Sequence, residues 1–125
     1  MTVKKYMELG ADAAAPGSAR SQVSDALSGR DDGTVATATL LVSELVSNAV
    51  LHGSKAGDSV GVELSVEPDR IRIEVFDVGD GFDYSNGSEP GALGGFGLRI
   101  VEDLAAAWGI DRGPPHKVWC ELTTH

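Results

Sequence analysis

An α+β sandwich, with helices packed on one face of a sheet, is the fold that the sequence predicts. Val60–Val66 and Ile71–Phe76 each alternate apolar and polar or small residues, and Glu67-Pro68-Asp69-Arg70 joins them as a hairpin. Thr34–Leu51 is the longest helical pattern and closes on His52-Gly53. The order along the chain is strand, helix, helix, hairpin, loop, helix, strand, which stacks helices on a sheet rather than alternating them with parallel strands.

The elements follow in order. Val3–Leu9 is expected as a short edge strand, and Asp12–Gly17 as a loop whose Pro16 suits a helix start. Ser18–Leu27 reads as the first helix, with Val23, Ala26 and Leu27 on one face and Ser28-Gly29 as its stop. Arg30–Gly33 is a polar connection to the long helix, and Gly53–Ser59 a loop before the hairpin. Asp77–Gly94 is a glycine-rich loop. Gly97–Ala107 is a third helix, with Leu98, Val101, Leu104 and Ala105 at helical spacing. A short strand is expected around Trp108–Ile110, and Val118–Thr123 is the last strand.

Length and composition narrow the function. The 125 residues suit one domain, 1–125. Ten Lys and Arg against 19 Asp and Glu give a net charge of −9, which argues against a nucleic-acid backbone or an anionic membrane as partner. Cys120 is the sole cysteine, so neither an internal disulfide nor a cysteine zinc site can form. The first residues lack the apolar stretch of a signal peptide, and no apolar run is expected to reach the length of a membrane span. A soluble cytoplasmic protein is therefore expected. Sixteen residues are glycine, about twice the usual share. Seven of them, Gly79, Gly81, Gly87, Gly91, Gly94, Gly95 and Gly97, fall between Asp77 and Gly97.

Three groups of residues carry candidate chemistry. On a wheel of about 100° per residue, Leu41, Leu45, Ala49, Val42 and Val46 of the long helix share a buried arc. Glu44, Asn48 and His52 run along its border, while Ser43 and Ser47 lie at the back. A carboxylate there can take a proton from a hydroxyl or water, and an amide oxygen can bind a hard cation such as Mg²⁺. The plainer alternative is a solvated Glu44, an Asn48 that satisfies a backbone group and a His52 that caps the helix. Second, Asp77-Val78-Gly79-Asp80-Gly81-Phe82 follows a strand directly. Its alternate glycines let a flat ligand approach the backbone while a carboxylate accepts from an exocyclic amine; an ordinary turn is the alternative. Third, Gly94-Gly95-Phe96-Gly97-Leu98-Arg99 opens a helix, where backbone N–H groups attract phosphate, or it is a flexible entry loop. The chain has neither a GxxxxGK[ST] nor a GxGxxG pattern, so P-loop and dinucleotide-fold readings fall.

Together the three groups resemble the GHKL ATP-binding superfamily of gyrase, heat-shock chaperone, histidine-kinase and mismatch-repair ATPases. Glu44-Leu45-Val46-Ser47-Asn48-Ala49-Val50-Leu51-His52 is similar to its asparagine box, Asp77-Val78-Gly79-Asp80-Gly81 to its first glycine box and Gly95-Phe96-Gly97-Leu98 to its second. The likeness runs from about Ser18 to Leu122. Within the superfamily, Leu41–Val50, Gly97–Ala105 and Val118–Leu122 are in the style of the bacterial anti-sigma-factor serine/threonine kinases and their small stand-alone relatives. The resemblance implies a two-layer α/β sandwich, a mixed sheet with helices on one face, and ATP under a mobile lid at roughly Asp83–Gly94. It implies Glu44 as general base and Asn48 as Mg²⁺ ligand. It implies Asp77 as the adenine amine acceptor, Gly79 and Gly81 under the base, and Gly95, Phe96, Gly97 and Leu98 on the phosphates. Lys117 departs from the family, which usually has a small hydroxyl residue near the adenine just before the last strand; the lid also carries no Lys or Arg.

The activity so implied is ATP-dependent phosphorylation of an anti-sigma-factor antagonist on serine, by a protein that also sequesters a sigma factor and forms a homodimer. A catalytically weak ATP-binding module that only sequesters partners is the alternative. The ATP-binding half of a histidine kinase is disfavoured because 43 residues precede Glu44, too few for a phosphoacceptor helix pair as well. Gyrase-type ATPases need further domains.

Overall fold

Strands β2 (Ser59–Val66) and β3 (Arg70–Asp77) pair antiparallel as the expected hairpin, closed by Glu67 N–H donating to the Arg70 carbonyl at 2.8 Å. The computed structural model describes residues 2–53, 58–77, 98–111 and 117–124, with His52, Gly53, Asp77 and Leu98 described through their backbone. Around the hairpin the strand order is β1-β2-β3-β5-β4, where β1 is Val3–Gly10, β4 is Ala107–Asp111 and β5 is Lys117–Thr123. The sheet expected as mixed is antiparallel at each of these pairings. β3 and β4 do run the same way, as a helical crossover between them requires, but β5 sits between and pairs antiparallel with both.

Helix α1 (Ala15–Ala26) begins three residues ahead of the expected Ser18. Asp12 is the reason: its carboxylate accepts from Ala14 N–H at 2.9 Å and its carbonyl accepts from Ala15 N–H at 3.1 Å. Pro16 then falls in the first turn, where a missing N–H costs nothing. The helix stops before Gly29, which takes φ +88°, as a glycine readily does. Helix α2 (Asp32–Asn48) also starts early, because Asp31 caps it through Oδ2 accepting from Thr34 N–H at 3.1 Å. After Asn48 the chain continues as a π-helical turn, Ala49–Gly53, instead of the plain α-helix expected to Leu51.

Helix α3 (Leu98–Leu104) ends three residues sooner than the helical pattern predicts. Ala105 N–H makes the last helical bond, to Val101 at 2.9 Å, and Ala106 N–H is taken by the Glu121 carbonyl of β5 at 2.7 Å. Ala107 therefore enters a strand: pairing to the sheet overrides alanine's helix preference.

The core lies between the sheet's inner face and the helices. Met7, Leu9, Val60, Val62, Leu64, Ile71, Ile73, Val75, Val118, Cys120 and Leu122 alternate inward. Leu41, Val42, Leu45 and Val46 of α2 cover them, with Ala19 and Val23 of α1 and Val101 of α3 alongside. Asp32–Leu51 does reach the length and apolar composition of a membrane-crossing helix, contrary to expectation, but here it is the central core helix. Burial raises the Cys120 thiol to about 12, so it stays a protonated packing group.

The outer face of the sheet carries charge and aromatics. Arg72 bridges Glu74 at 2.8 Å and Glu121 at 2.9 Å and lies 4.2 Å above the Trp119 ring, while Tyr6 stacks on Phe76 with centroids 5.9 Å apart. Trp119 lies over Gly109, its cross-strand partner, and a Cβ there would fall 2.9 Å from the indole. Arg72 packs on that ring as well, which restricts how far the indole can shift. Gly109→Ala is expected to destabilise the fold by about 1–3 kcal/mol, read as a lower urea midpoint with an unchanged m-value.

Candidate nucleotide site

Asn48 is the only fully buried polar or charged side chain among the described residues, at 3% exposure. A buried amide is costly unless its polar atoms are used. Its Nδ2 donates to the Glu44 carbonyl one turn back at 2.9 Å. The plainer expectation for Asn48, satisfaction of a backbone group, is thus met by one end of the amide. That bond also fixes which end is which: Nδ2 is committed, and the remaining polar atom is Oδ1, a hard oxygen acceptor. Glu44 is partly buried beside it, and among the described residues no cation pairs with its carboxylate.

The fold brings the other motif ends to the same end of the sandwich. A cleft at the opposite end is lined by Thr34 and Thr37 of α2, Leu104 at the end of α3 and Thr123 of β5. The C-terminal end of α3 therefore lies beside the N-terminal end of α2, so Leu98 starts α3 toward Asn48. Thr123 is paired with Arg70, the first residue of β3, so Asp77, its last, also lies toward Asn48. Asp77 stands opposite Val60 in the β2–β3 pairing. β3 packs against the π turn directly.

Gly79, Gly81, Gly95, Phe96, Gly97 and the expected lid Asp83–Gly94 lie outside the described residues. His52 lies in the π turn. Lys117 is not just before the last strand but its first residue, and strand alternation turns it to the outer face. Its ammonium is 3.7 Å from Glu74 there, on the side of the sheet away from α2. The π turn immediately after Asn48 escaped the sequence reading, which treats helical periodicity as unbroken. Such turns recur where a helix serves a site, and no residue in Ala49–Gly53 announces one.

Sequence comparison decides the family. The profile of the histidine kinase-like ATPase domain matches residues 9–120, nearly the whole chain. The chain belongs to the histidine kinase-like ATPase domain family. Among curated members, the serine-protein kinase RsbW of Staphylococcus aureus strain JH9 is 35% identical over 82 residues, covering 54% of this chain and 52% of the relative. The same protein of strain Newman matches equally. This ATPase-like chain thus spans about half the length of the curated relatives it matches. Among solved structures, the blue-light activated histidine kinase EL346 of Erythrobacter litoralis matches 85% of this chain and 39% of its own, at TM-score 0.56 and 23% identity. Its isolated histidine kinase domain matches 87% and 59%, at TM-score 0.52 and 24% identity. These structures share the α+β fold of the histidine kinase-like ATPase domain.

Proposed function

We propose that this protein is an ATP-dependent serine kinase of the anti-sigma-factor type. In this reading it is one ATP-binding domain that acts in the cytoplasm as a homodimer, holds a sigma factor and phosphorylates that factor's antagonist on serine. The observation that carries the nucleotide part is the buried Asn48, with Nδ2 committed and Oδ1 left as a hard acceptor beside Glu44. The kinase part is supported by the likeness to the staphylococcal serine-protein kinase.

The donor set suits Mg²⁺. That ion needs only one or two protein oxygens and takes the rest of its octahedron from water and phosphates. Asn48 Oδ1 would be its protein ligand. When bound, the ion would neutralise charge on the phosphates. Asp77, at the end of β3, accepts from the adenine amine. Gly79 and Gly81 leave room for the base, and backbone N–H groups of Gly95, Phe96, Gly97 and Leu98 hold phosphate oxygens. Glu44 takes the proton from the acceptor serine as its oxygen attacks the γ-phosphorus, and ADP leaves.

Transfer of label from γ-³²P-ATP to a recombinant antagonist-type domain tests the reading. Labelled serine in the antagonist supports it; bound ATP with no transfer leaves only a sequestering module. Asn48→Ala separates metal binding from folding. Truncation removes one hydrogen bond, at a cost of about 1 kcal/mol, but the Glu44 carbonyl is a helical acceptor in either case. The variant is expected to stay folded and lose the gain in ATP affinity that Mg²⁺ gives the wild type. Calorimetric titrations with Mg²⁺ and with EDTA check this.

A further inference from the structure

Strand β1 (Val3–Gly10) stands at one edge of the sheet and pairs only with β2. Among the described residues no other backbone hydrogen bond reaches Val3–Leu9. In an antiparallel strand alternate residues point N–H and C=O away from the existing partner, so β1 presents a row of unused donors and acceptors. Natural edges of this length usually carry proline, a bulge or blocking charges. β1 has no proline and keeps an unbroken register with β2 over its whole length. Its charges are Lys4, Lys5 and Glu8, so it is net positive in a chain of net charge −9. Two copies can meet there without the repulsion that the net charge imposes on the surface as a whole. Lys4, Tyr6 and Glu8 lie on the sheet's outer face, and Val3, Lys5, Met7 and Leu9 on the helix-covered side. Met7 and Leu9 are buried there, but Val3 is 56% exposed, and Tyr6 on the outer face is 51% exposed.

We infer that β1 is the dimer seam: two copies pair β1 with β1, antiparallel about a two-fold axis through Tyr6, and the two five-stranded sheets become one continuous sheet. The inference rests on the homodimer reading and names its surface. The strand is complementary to itself in that register. On the outer face Lys4 falls opposite Glu8 of the partner subunit, and Glu8 opposite the partner's Lys4. Tyr6 falls opposite the partner's Tyr6, between these ion pairs. On the other face Val3 falls opposite the partner's Leu9, so the exposed valine gains an apolar neighbour. Lys5 falls opposite the partner's Met7, whose thioether packs on the lysine stem. Shifted registers lose this match. Centring on Lys5 sets two like charges opposite each other, and centring on Met7 leaves Lys4 opposite a glycine, the partner's Gly10. Lysine on an edge ordinarily blocks pairing. Here the same strand supplies the answering carboxylate, because Glu8 stands two residues beyond Tyr6 as Lys4 stands two before it. Lys4 lies 3.5 Å from Glu63 of β2, and the Tyr6 hydroxyl donates to Glu8 at 3.2 Å, so both charges are held over the outer face. Gly10 pairs with Ser59 and Val60 with Asp77, so the Gly10 end of β1 is the nucleotide end of the sandwich. Antiparallel pairing sends the two nucleotide ends to opposite rims of the joined sheet and leaves each open.

Sedimentation velocity of the intact protein across a concentration series reads the dimer. Lys4→Glu and Glu8→Lys each set like charges opposite one another at both symmetric positions, and each is expected to weaken self-association about tenfold. Mixing the two variants in equal amounts should restore the dimer, because a strand with carboxylates at positions 4 and 8 then faces a strand with ammonium groups at both. Loss of fold cannot imitate that result, since two misfolded chains do not rescue each other. The doubly exchanged Lys4→Glu/Glu8→Lys protein should dimerise as the wild type does. Tyr6→Cys is expected to give a disulfide-linked dimer under mild oxidation with copper–phenanthroline, because opposed residues of paired strands lie about 5 Å apart between Cα atoms. Cys120 is buried and does not compete. Glu8→Cys should give no such link, because its counterpart stands about 13 Å away along the strands. A dimer indifferent to both charge reversals, or weakened by them and not restored on mixing, overturns the seam and keeps the homodimer reading, formed through another surface. So does linkage through Glu8→Cys with none through Tyr6→Cys. A wild type that stays monomeric at every concentration removes the homodimer reading and the seam with it.

Discussion

Glu44→Ala is expected to cut phosphoryl transfer about 10²-fold or more while leaving ATP affinity nearly unchanged. The loss corresponds to about 2.7 kcal/mol of transition-state stabilisation. The proton leaves the acceptor oxygen as that oxygen attacks, so a carboxylate placed to receive it acts in the transition state and not on the bound nucleotide. Affinity should hold for a structural reason as well. The contact between Glu44 and Asn48 runs from Nδ2 to the Glu44 backbone carbonyl, which truncation of the side chain does not touch. Asn48 therefore keeps its place in the variant. Removing a negative charge near the phosphates would, if anything, tighten binding slightly. Transfer is read with γ-³²P-ATP, and affinity by calorimetry on the same preparations. Glu44→Gln, which keeps the size and loses the base, should behave as Glu44→Ala does. Abolished nucleotide binding in Glu44→Ala would make the carboxylate structural and end its assignment as base.

Asp77→Asn is expected to remove most of the thermal stabilisation that ATP or ADP with Mg²⁺ gives the wild type. A ligand that binds only the folded state stabilises it by mass action, by about 2.7 kcal/mol at a hundredfold excess over Kd. For a domain of this size that is a rise in Tm of about 10 °C. Asp77 ends β3 at the same end of the sandwich as Asn48. In the proposed reading its carboxylate accepts from the adenine amine. The amide of Asn keeps the size, loses the charge and can turn a donor toward that amine, which leaves the base unpaired and desolvated. Melting curves of both proteins across a nucleotide series check the expectation. Equal shifts would show that the adenine is read elsewhere.

The parts legible in the sequence were those where local pattern and tertiary structure agree. Val60–Val66 and Ile71–Phe76 alternate strictly and bury one face each, so their register could hardly slip. Glu44 and Asn48 were legible for a similar reason: helical spacing placed a carboxylate and an amide at the border of a buried arc, and Asn48 is buried there. Boundaries failed where contacts distant in sequence decide them. Ala105-Ala106-Ala107 is good helix sequence, but the Glu121 carbonyl of β5 captures Ala106 and draws the chain into β4. The start of α1 differs for a local reason instead: Asp12, ahead of the proline that drew attention, caps it. The antiparallel sheet depends on β5 inserting between β3 and β4, which no local pattern encodes.

Backbone hydrogen exchange of the wild-type protein, with and without Mg²⁺ and ATP, tests most directly that one nucleotide site forms where the three motifs converge. Protection should rise across Asn48–Gly53, at Phe76 and Asp77, and from Asp83 through Leu98, because these amides gain a bound ligand or lie against one. Val60–Val66, already paired on both sides within the sheet, should not change. Protection that rises instead around Thr34, Thr37 and Thr123, at the cleft on the opposite end of the sandwich, or that rises nowhere, would contradict the site.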